Sequence, residues 1–379
     1  MVVVVVGAGP VGLMLASELA RSGVRPLVLE ALPSPSLSPK ANGVVGRAVP
    51  LLADRGFFPR RRPAPRFMYG GFPLDLRRLR DNPVYVLPVP QRELESVLGA
   101  GVPVRRGHSV VGLDPSSDGV TVSVVGPSGP YTVEASYVVG CDGAHSMVRK
   151  AAGLGFPGTS DERVVSRSAH VVLPVSRFRG RLGPYRPYLF HRTPRGVFSF
   201  ARFGRGPHLV TTLEWDTAVS SASSTASASS AAGPVTVEEV RASLERVLGG
   251  PVSLGAPTGP GPHVLRRSTS RQNRIASSYR AGRVLLAGDA AHVVAGIGGP
   301  LLNLGLLDAV DLASRLARDD VSGYDAARRP WAERVLESSA EQAALLSPGA
   351  ATDARRAEFA RYLATPAGLR RVADTIAGG

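Results

Sequence analysis

The feature that most constrains the fold is a run of valines followed at once by a glycine-rich turn. Val2 to Val6 form an unbroken β-branched segment, which is typical of a strand buried on both faces of a parallel sheet. From Val11 to Ser22, small and apolar residues recur at helical spacing, and Gly23 stands where a helix C-cap is favoured. Pro26 to Glu30 has the pattern of a second strand. The opening therefore predicts a βαβ unit.

The turn between strand and helix, GAGPVG at residues 7–12, has the spacing of a dinucleotide-binding loop. Glycines here permit a tight turn and close approach of the backbone to a pyrophosphate, while the helix N-terminus supplies unpaired amide donors and a positive dipole. Glu30, at the end of the second strand, can accept hydrogen bonds from ribose hydroxyls. The residues predicted to contact a dinucleotide are Gly7, Gly9, Pro10, Val11, Gly12 and Glu30.

Two further motifs follow predicted strands later in the chain. GCDGAHS at residues 140–146 comes after a strand predicted at Ala135 to Val139. GDAAH at residues 288–292 comes after a strand predicted at Arg283 to Ala287, and the chain is predicted to be helical from Leu301 onward. Three motifs in this order make a far more specific signal than any one of them.

With these motifs, the chain resembles the FAD-dependent aromatic hydroxylases of the para-hydroxybenzoate hydroxylase type, and among them the polyketide-tailoring oxygenases. The segment PQREL at 90–94 and the helix at Leu301 to Leu312 add to the resemblance, which covers nearly the whole chain and is weakest from 180 to 261. It implies an α/β fold: a Rossmann-like FAD-binding domain, an interrupting substrate domain with a mainly antiparallel sheet, and a helical C-terminus.

The resemblance also implies roles for individual residues. Asp289 would bind the ribityl chain of FAD, and Gln91 and Arg47 would hold the ribityl or phosphate region. Asp142 would orient its loop beside the pyrophosphate and the nicotinamide approach, although helix capping is the alternative use of both aspartates. A turn at 298–299 would aim amides at the pyrimidine edge of the flavin, where negative charge develops on reduction. The implied contacts beyond the first loop are Arg47, Gln91, Asp142, Gly288, Asp289, Gly299, Pro300, Leu302 and Asn303.

Near the flavin the sequence departs from the family pattern. Ala295 and Gly296 replace the usual proline pair, and GPLLN at 299–303 replaces Gly-Gln-Gly-Leu-Asn. Pro300 has no N–H, so one donor toward the flavin is lost. Lys40 also stands where an arginine is usual. These departures leave FAD binding intact and bear on the stability of a flavin hydroperoxide.

The implied activity is monooxygenation, in which NADPH or NADH reduces FAD, O2 forms a flavin hydroperoxide, and an aromatic, polyketide-type small molecule is hydroxylated. Because the cofactor carries this chemistry, no catalytic dyad need be present, and His191, Arg192 and Tyr85 are only weak candidates for a side-chain role. Baeyer-Villiger insertion or dehydrogenation on the same scaffold stays open, as does a non-catalytic basic flavoprotein or a nucleic-acid binder.

Two domains are expected: a discontinuous FAD domain of segments 1–70, 89–170 and 263–379, and a substrate domain of 71–88 and 171–262. Alternating segments at Leu189 to Arg202 and Leu209 to Trp215 predict antiparallel strands. Ser220 to Ala232, nearly all serine, alanine and threonine, predicts an exposed mobile insertion. Aromatic residues at alternating strand spacing are more often core than pocket lining. With core packing as the more frequent use, the candidates for lining a substrate pocket are Tyr69, Tyr85, Phe190, His191, Arg192, Phe198 and Phe200.

Composition argues against several other classes. The formal charge of +15 is almost all arginine and favours anionic ligands such as phosphates, but no basic recognition helix accompanies it, so no nucleic acid is expected as partner. Cys141 is the only cysteine and the seven histidines are widely spaced, so neither a disulfide nor a metal site is expected. No signal peptide or spanning helix is indicated, and a cytoplasmic location is expected.

Overall fold

The computed structural model describes residues 1–37, 41–173, 185–202, 206–215, 234–259, 264–268, 271–294 and 299–377. The expected insertion at Ser220 to Ala232 lies outside these residues, as do Lys40 and the segment 295–298. The helices are α1 (Pro10–Arg21), α2 (Ala48–Asp54), α3 (Gln91–Leu98), α4 (Met147–Ala151), α5 (Val237–Leu248), α6 (Pro300–Ala317), α7 (Tyr324–Leu346), α8 (Ala350–Ala364) and α9 (Pro366–Ala377). The strands are β1 (Val3–Val6), β2 (Pro26–Glu30), β3 (Gly43–Val45), β4 (Arg66–Tyr69), β5 (Phe72–Asp75), β6 (Val86–Pro88), β7 (Val104–Arg106), β8 (Ser109–Pro115), β9 (Val120–Gly126), β10 (Gly129–Ala135), β11 (Tyr137–Gly140), β12 (Gly158–Asp161), β13 (Val164–Val171), β14 (His191–Thr193), β15 (Gly196–Arg202), β16 (His208–Trp215), β17 (Leu265–Ser268), β18 (Arg271–Ile275), β19 (Arg280–Ala281), β20 (Val284–Leu286) and β21 (His292–Val293).

The first domain is built on a six-stranded sheet in the order β19-β20-β11-β1-β2-β7, parallel except for the edge strand β19. The four residues of β1 are all buried, as an unbroken β-branched run in a central strand requires. The chain order switches beside β1, because β2 lies on one side of it and β11 on the other. The three motif loops leave the carboxyl ends of β1, β11 and β20, where ligands bind in open α/β sheets.

The predicted elements of this domain are confirmed with small shifts. The helix predicted from Val11 begins at Pro10, and the strand predicted from Ala135 begins at Tyr137. In the second domain, the segment from Leu189 to Arg202 is not one strand but the hairpin β14–β15, because residues 194–195 form a turn.

The interrupting region forms a five-stranded antiparallel sheet in the order β14-β15-β16-β13-β17, with α5 packed on one face. The core under α5 joins Phe198 and Val210 of the sheet to Val240 and Leu244 of the helix. Because strand side chains alternate between faces, neighbouring residues point away from α5. The strands of this sheet lie between residues 164 and 268, and the domain bounds expected from the sequence stay a prediction.

The helical C-terminus joins the two sheets. Helix α7 ends at Leu346, which packs against Val197 and Leu213 of the second sheet. Helix α9 packs Leu369 against a separate core that contains Tyr69 of β4. The hairpin β4–β5 and the last helices thus form one wall beside the half of the chain that carries the glycine-rich motifs.

Candidate active site

The glycine loop after β1 is fitted to its neighbours with no room for side chains. Gly7 has φ of +103°, and a Cβ on it would lie 2.5 Å from the carbonyl oxygen of Cys141, in the second motif. A Cβ on Gly12 would lie 2.0 Å from the carbonyl oxygen of Gly7. Only glycine fits at either position, and this close contact sets the first loop directly against the second.

The same loop is open where its helix begins. Gly9 is the N-cap of α1, and a Cβ on it would meet nothing within 4 Å among the described residues. Pro10 occupies the first helical position, where its missing N–H costs nothing. Glu30 holds the loop in place, because its Oε2 accepts a hydrogen bond from the Ala8 amide at 2.7 Å. The open helix N-terminus therefore suits an anion such as a pyrophosphate.

The second motif loop is organised by Asp142. Its Oδ2 accepts hydrogen bonds from the amides of Met147 at 2.7 Å and Val148 at 3.1 Å, and Ser146 caps the same helix α4. The structure thus shows the helix-capping use of Asp142, and its role beside the pyrophosphate and the nicotinamide stays a prediction. Its Oδ1 is buried and accepts no hydrogen bond from the described residues, which leaves an acceptor at the crevice for a ligand donor.

The third motif loop is brought to the first by a close contact with α1. A Cβ on Gly288 would lie 2.9 Å from Cγ2 of Val11, and one on Gly305 of α6 would lie 2.6 Å from the same atom. Val11 therefore fits only because both partners are glycines. Asp289 is the exposed residue of the turn that Gly288 begins. Gly305 is a residue that the sequence analysis missed, although a glycine inside an apolar helix is itself a signal of close packing.

Arg149 joins the second and third loops and was also missed as a site residue. It is 4% exposed, donates to the carbonyl oxygens of Ala290 at 2.8 Å and Ala144 at 3.0 Å, and lies 3.7 Å from the ring centroid of Phe156. Burial lowers the pKa of its guanidinium from the ordinary arginine value. An arginine two residues into a short buried helix was the available signal.

Behind the third loop lies a buried ionic triad. His292 Nε2 and Asp308 Oδ2 are 2.6 Å apart, and Asp308 Oδ1 accepts from Arg328 Nε at 2.8 Å. The side chains of His292 and Asp308 are wholly buried. Burial raises the pKa of Asp308, but His292 and Arg328 outweigh burial, so its pKa lies below the ordinary value. The triad ties the GDAAH motif to α6 and α7.

The start of α6 contacts the end of β3. Asn303 Oδ1 accepts from the amide of Val45 at 2.7 Å, and its Nδ2 donates to the carbonyl oxygen of Gly299 at 2.9 Å. Arg47 lies two residues further along and stacks on Trp331, with its Cζ 4.8 Å from the ring centroid. These contacts bring together the predicted residues Arg47, Gly299 and Asn303 at one edge of the crevice.

An open cavity lies beside this edge, between α6, α7 and the last turn of α9. Arg47, Ser338 and Gln342 supply polar groups to its wall. Gln342 is 5% exposed, and its Oε1 accepts a hydrogen bond from the Gly70 amide. The largest apolar lining side chains are Phe67, Leu307, Trp331, Val335 and Ile376.

A family model described as an FAD binding domain matches residues 1–339. The chain belongs to this FAD-binding family. It is 38% identical over 406 aligned residues to the 12-dehydrotetracycline 5-monooxygenase/anhydrotetracycline 6-monooxygenase of Streptomyces rimosus, an alignment that covers 99% of this chain and 75% of that protein. It is therefore an FAD-dependent monooxygenase, as the resemblance implied.

Solved structures agree with this assignment. The anhydrotetracycline hydroxylase from Streptomyces rimosus has a TM-score of 0.83 and 36% identity, over 100% of this chain and 76% of that one. An aromatic hydroxylase from angucycline biosynthesis has a TM-score of 0.81 and 32% identity, over 99% of this chain and 75% of that one. The expected fold class, that of para-hydroxybenzoate hydroxylase, is confirmed.

The loops of this monooxygenase fit FAD. Gly9, Gly143 and Gly299 each belong to a different motif region, and a Cβ on any of them would meet no described atom within 4 Å. The packing glycines hold the loops together, and these three leave the backbone accessible to a ligand. The orphaned Asp142 Oδ1 and the open start of α1 supply an acceptor and donors within the same crevice.

Gln91 is used within the protein in this structure. Its Oε1 accepts from the Ala41 amide at 3.2 Å, and its Nε2 donates to Glu95 at 2.7 Å. The side chain therefore supports the segment that precedes β3. Its contact with the ribityl or phosphate region stays a prediction.

Several residues expected to line a substrate pocket lie elsewhere. Phe198 and Phe200 belong to the core under α5, which is the more frequent use expected of such aromatic residues and removes both as pocket candidates. The ring of His191 hydrogen-bonds the backbone of Arg186. Arg192 donates to the carbonyl oxygen of Ser347 at 2.7 Å and pairs with Asp353. Both side chains are thus used within the protein in this structure, and their candidate roles in catalysis stay predictions.

The three remaining candidates are placed differently. Phe190 packs in a small core beside Leu346. Tyr85 is 40% exposed next to β6. Tyr69 is 1% exposed and lies on β4, behind the cavity wall. Among the described residues, none of those from 171 to 262 lines the cavity.

The described residues contain neither a metal-binding cluster nor a membrane-spanning helix. No group of three or more His, Cys, Asp or Glu side chains there could hold a metal ion. Within the same residues, every helix is too short or too polar to cross a membrane.

Proposed function

We propose that FAD lies along the crevice with its pyrophosphate at the start of α1 and its flavin beside the start of α6. Support comes from the three accessible glycines and from the helix N-terminus, which presents amide donors to an anion. Asn303 bonds both the Val45 amide and the carbonyl oxygen of Gly299. It thereby holds the segment that leads to Arg47 against the start of α6, beside the proposed position of the flavin. The proposed contacts are Gly7, Gly9, Pro10, Val11, Gly12, Glu30, Arg47, Gln91, Asp142, Gly288, Asp289, Gly299, Pro300, Leu302 and Asn303.

The substrate in this proposal is a polycyclic phenol of the polyketide type, and the reductant is NADPH or NADH. Bound FAD supplies the transfer of an oxygen atom from O2. The protein supplies binding, orientation and exclusion of water. The relatives named above act on tetracycline intermediates or belong to angucycline biosynthesis, which supports a substrate with several fused rings.

The cavity beside Arg47 carries this part of the proposal. Its mostly apolar wall suits fused aromatic rings. Arg47, Ser338 and Gln342 supply the few polar anchors that fix orientation in such sites. A ring in this cavity would lie next to Pro300 and Asn303, hence next to the proposed position of the flavin.

We also propose that the second sheet, from 164 to 268, contacts the outer part of the substrate. The strand register places Ser168 beside Thr211, and Thr211 beside Ser199, so three hydroxyl residues form a row. Thr212, the neighbour of Thr211, bonds Ser243 of α5, so Thr211 points to the opposite face. This row would bind the oxygenated edge of a polyketide.

Two assays on the purified protein test the proposal. We expect released chromophore to be FAD, and NADPH consumption to rise at least tenfold when hydroxylated anthraquinones are added. A well-folded protein that neither contains nor takes up FAD would refute the proposed cofactor site. NADPH consumption that no polyphenol stimulates would refute the substrate class.

A further inference from the structure

The row of hydroxyl residues on the second sheet is extended by an arginine. The strand register places Arg266 of β17 beside Ser168 of β13, which is the first member of the row. Thr211 and Ser199 follow on the next two strands. Neighbouring strands lie about 4.8 Å apart, so the row from Arg266 to Ser199 is roughly 14 Å long. Four polar side chains therefore share one line across the sheet, and one of them is positively charged.

Arg266 lies on the face of the sheet that points away from α5. Its neighbour Arg267 bonds Glu239 of that helix, with Nη1 3.0 Å from Oε2, and successive side chains of a strand lie on opposite faces. His170 belongs to the same face as Arg266, because its neighbour Ala169 packs in the core under α5. Burial lowers the pKa of His170, and the positive charge of Arg266 lowers it further. The two side chains are therefore close together on this face.

The two faces of the sheet differ in charge balance. On the α5 face, Arg167 pairs with Glu239 of the helix at 2.9 Å. On the opposite face, the described strand residues include two arginines and no carboxylate. One of these arginines, Arg192, pairs with Asp353 of α8. The other, Arg266, is exposed and forms no salt bridge with a described residue, so its charge is available to an anionic ligand.

The hydroxyl row lies beside the contact between the sheet and α7. Leu346, at the end of α7, packs against Val197 and Leu213, which form the neighbouring row on the same face of the sheet. Gln342 lines the cavity one helical turn earlier, and four residues of a helix rise about 6 Å. One helix therefore connects the cavity to the hydroxyl row, so that a ligand with several fused rings can contact both.

We propose that Arg266 binds a carboxylate group of the substrate. The inference rests on the proposed function, because it needs a polyketide-type ligand along the hydroxyl row. A polyketide chain ends in a carboxyl group, and a guanidinium can donate two parallel hydrogen bonds to the two oxygens of a carboxylate. The hydroxyls of Ser168 and Thr211 come next in the row and can bond further oxygen atoms of the ligand. The substrate class is thereby narrowed to polyketide acids, so the enzyme acts before any reaction that removes or masks the carboxyl group.

Two ligands that differ in one group test the carboxylate site. FAD-loaded enzyme is titrated with 1,8-dihydroxyanthraquinone-3-carboxylate and with the neutral 3-hydroxymethyl compound, and binding is followed by calorimetry. We expect wild-type enzyme to bind the carboxylate about tenfold more tightly, a typical contribution of a charge-assisted hydrogen bond. Arg266→Gln should bind both ligands with the affinity that wild-type enzyme has for the neutral one. Arg266→Lys should keep part of the preference, because the charge stays while the planar fork is lost.

Arg267→Gln is the matched control, because it removes the same group from the adjacent residue on the opposite face. Glu239 keeps its bond to Arg167 in this variant, so the sheet should still fold. Both dissociation constants should stay within about twofold of the wild-type values, because the substitution is separated from the ligand by the sheet. Added salt gives a second measurement: it should weaken binding of the carboxylate to wild-type enzyme and leave Arg266→Gln unaffected.

The outcomes separate the carboxylate site from the proposed function. Equal binding of the two ligands by wild-type enzyme would overturn the site, as would a carboxylate preference that persists in Arg266→Gln. Loss of the preference in Arg267→Gln as well would also overturn it, because overall charge rather than the position of Arg266 would then decide binding. All three results leave a polycyclic phenol as the substrate class. A wild-type enzyme that binds neither ligand would overturn that substrate class, and the carboxylate site with it.

Discussion

The cofactor crevice and the cavity beside it are built by opposite means. In the crevice, backbone packs on backbone, so that a Cβ on Gly12 would lie 2.0 Å from the carbonyl oxygen of Gly7. The cavity is walled by side chains from separate segments, and several of them keep polar atoms toward the space they enclose. A single atom added to a packing glycine would prevent the crevice from forming. In the cavity, by contrast, side chains can be replaced one at a time to change its chemistry.

The largest effect is expected from a pair of glycine substitutions in the first loop. Gly12→Ala should abolish folding of the FAD domain, because the clash is with backbone that cannot move aside. Gly9→Ala should fold normally, because its Cβ meets no described atom, yet lose at least about tenfold in FAD affinity where the methyl blocks the ligand. Thermal melts and FAD titration of the apoprotein measure the two effects. Gly9→Ala with wild-type FAD affinity would contradict the proposed position of the pyrophosphate.

Next in size is the buried triad behind the third loop. Asp308→Asn leaves Arg328 without its counter-charge and should destabilise the fold by about 3–5 kcal/mol near pH 7. The folded-state pKa of Asp308 is lowered, so its contribution is present above its ordinary value of 3.8 and is lost as pH falls through the folded pKa. Denaturant curves should therefore show the two proteins converging below about pH 4.

Asp311→Asn is the control for this measurement, because Asp311 pairs with Arg315 nearer the surface of the same helix. It should change stability by about 0.5 kcal/mol or less. An Asp308→Asn penalty that stays constant from pH 7 to pH 3 would show that the carboxylate charge is not what stabilises the loop.

A smaller effect is expected at the buried arginine between the second and third loops. Arg149→Met should cost about 2–3 kcal/mol, because the carbonyl oxygens of Ala290 and Ala144 lose their buried donor. Arg149→Lys should recover little of this, since one ammonium cannot replace a planar fork that also stacks on Phe156. Arg163→Met removes an exposed arginine and should leave the unfolding curve unchanged. Full rescue by lysine would mean that charge alone is required.

The smallest effect is expected on the second sheet, from two adjacent threonines. Thr211→Val removes a hydroxyl from the row that faces away from α5 and should raise KM about threefold to tenfold with kcat nearly unchanged. Thr212→Val removes the bond to Ser243 and should lower stability by about 1 kcal/mol with KM unchanged. Steady-state kinetics with a hydroxylated anthraquinone separates them. The reverse pattern would place the substrate on the α5 face.

The crevice could be predicted from the sequence because each motif is contiguous and obeys local rules. A β-branched strand, three glycines and a helix leave few alternatives, and Glu30 sits where the second strand must end. The cavity could not be predicted in the same way, since Phe67, Ser338 and Ile376 meet only through tertiary packing. The roles of Gly305 and Arg149 were harder to predict from the sequence, because each residue contacts a partner that is far away along the chain.

The second sheet shows what else could not be predicted from the sequence. Alternation predicted antiparallel strands with two different faces, and the structure has them. Periodicity does not reveal which face a later helix will cover, so Phe198 and Phe200 could be assigned from the sequence either to the core or to the substrate pocket, and the structure places both under α5. The helix that decides this, α5, follows the strands in the chain and packs back on them.

One measurement tests the central claim most directly. The FAD-loaded protein is supplied with NADPH, a hydroxylated anthraquinone and oxygen labelled with the heavy isotope, and the product is analysed by mass spectrometry. We expect one labelled oxygen atom on an aromatic carbon and a matching consumption of NADPH. A product that carries no label, or NADPH consumption that yields only hydrogen peroxide with every substrate offered, would contradict the account.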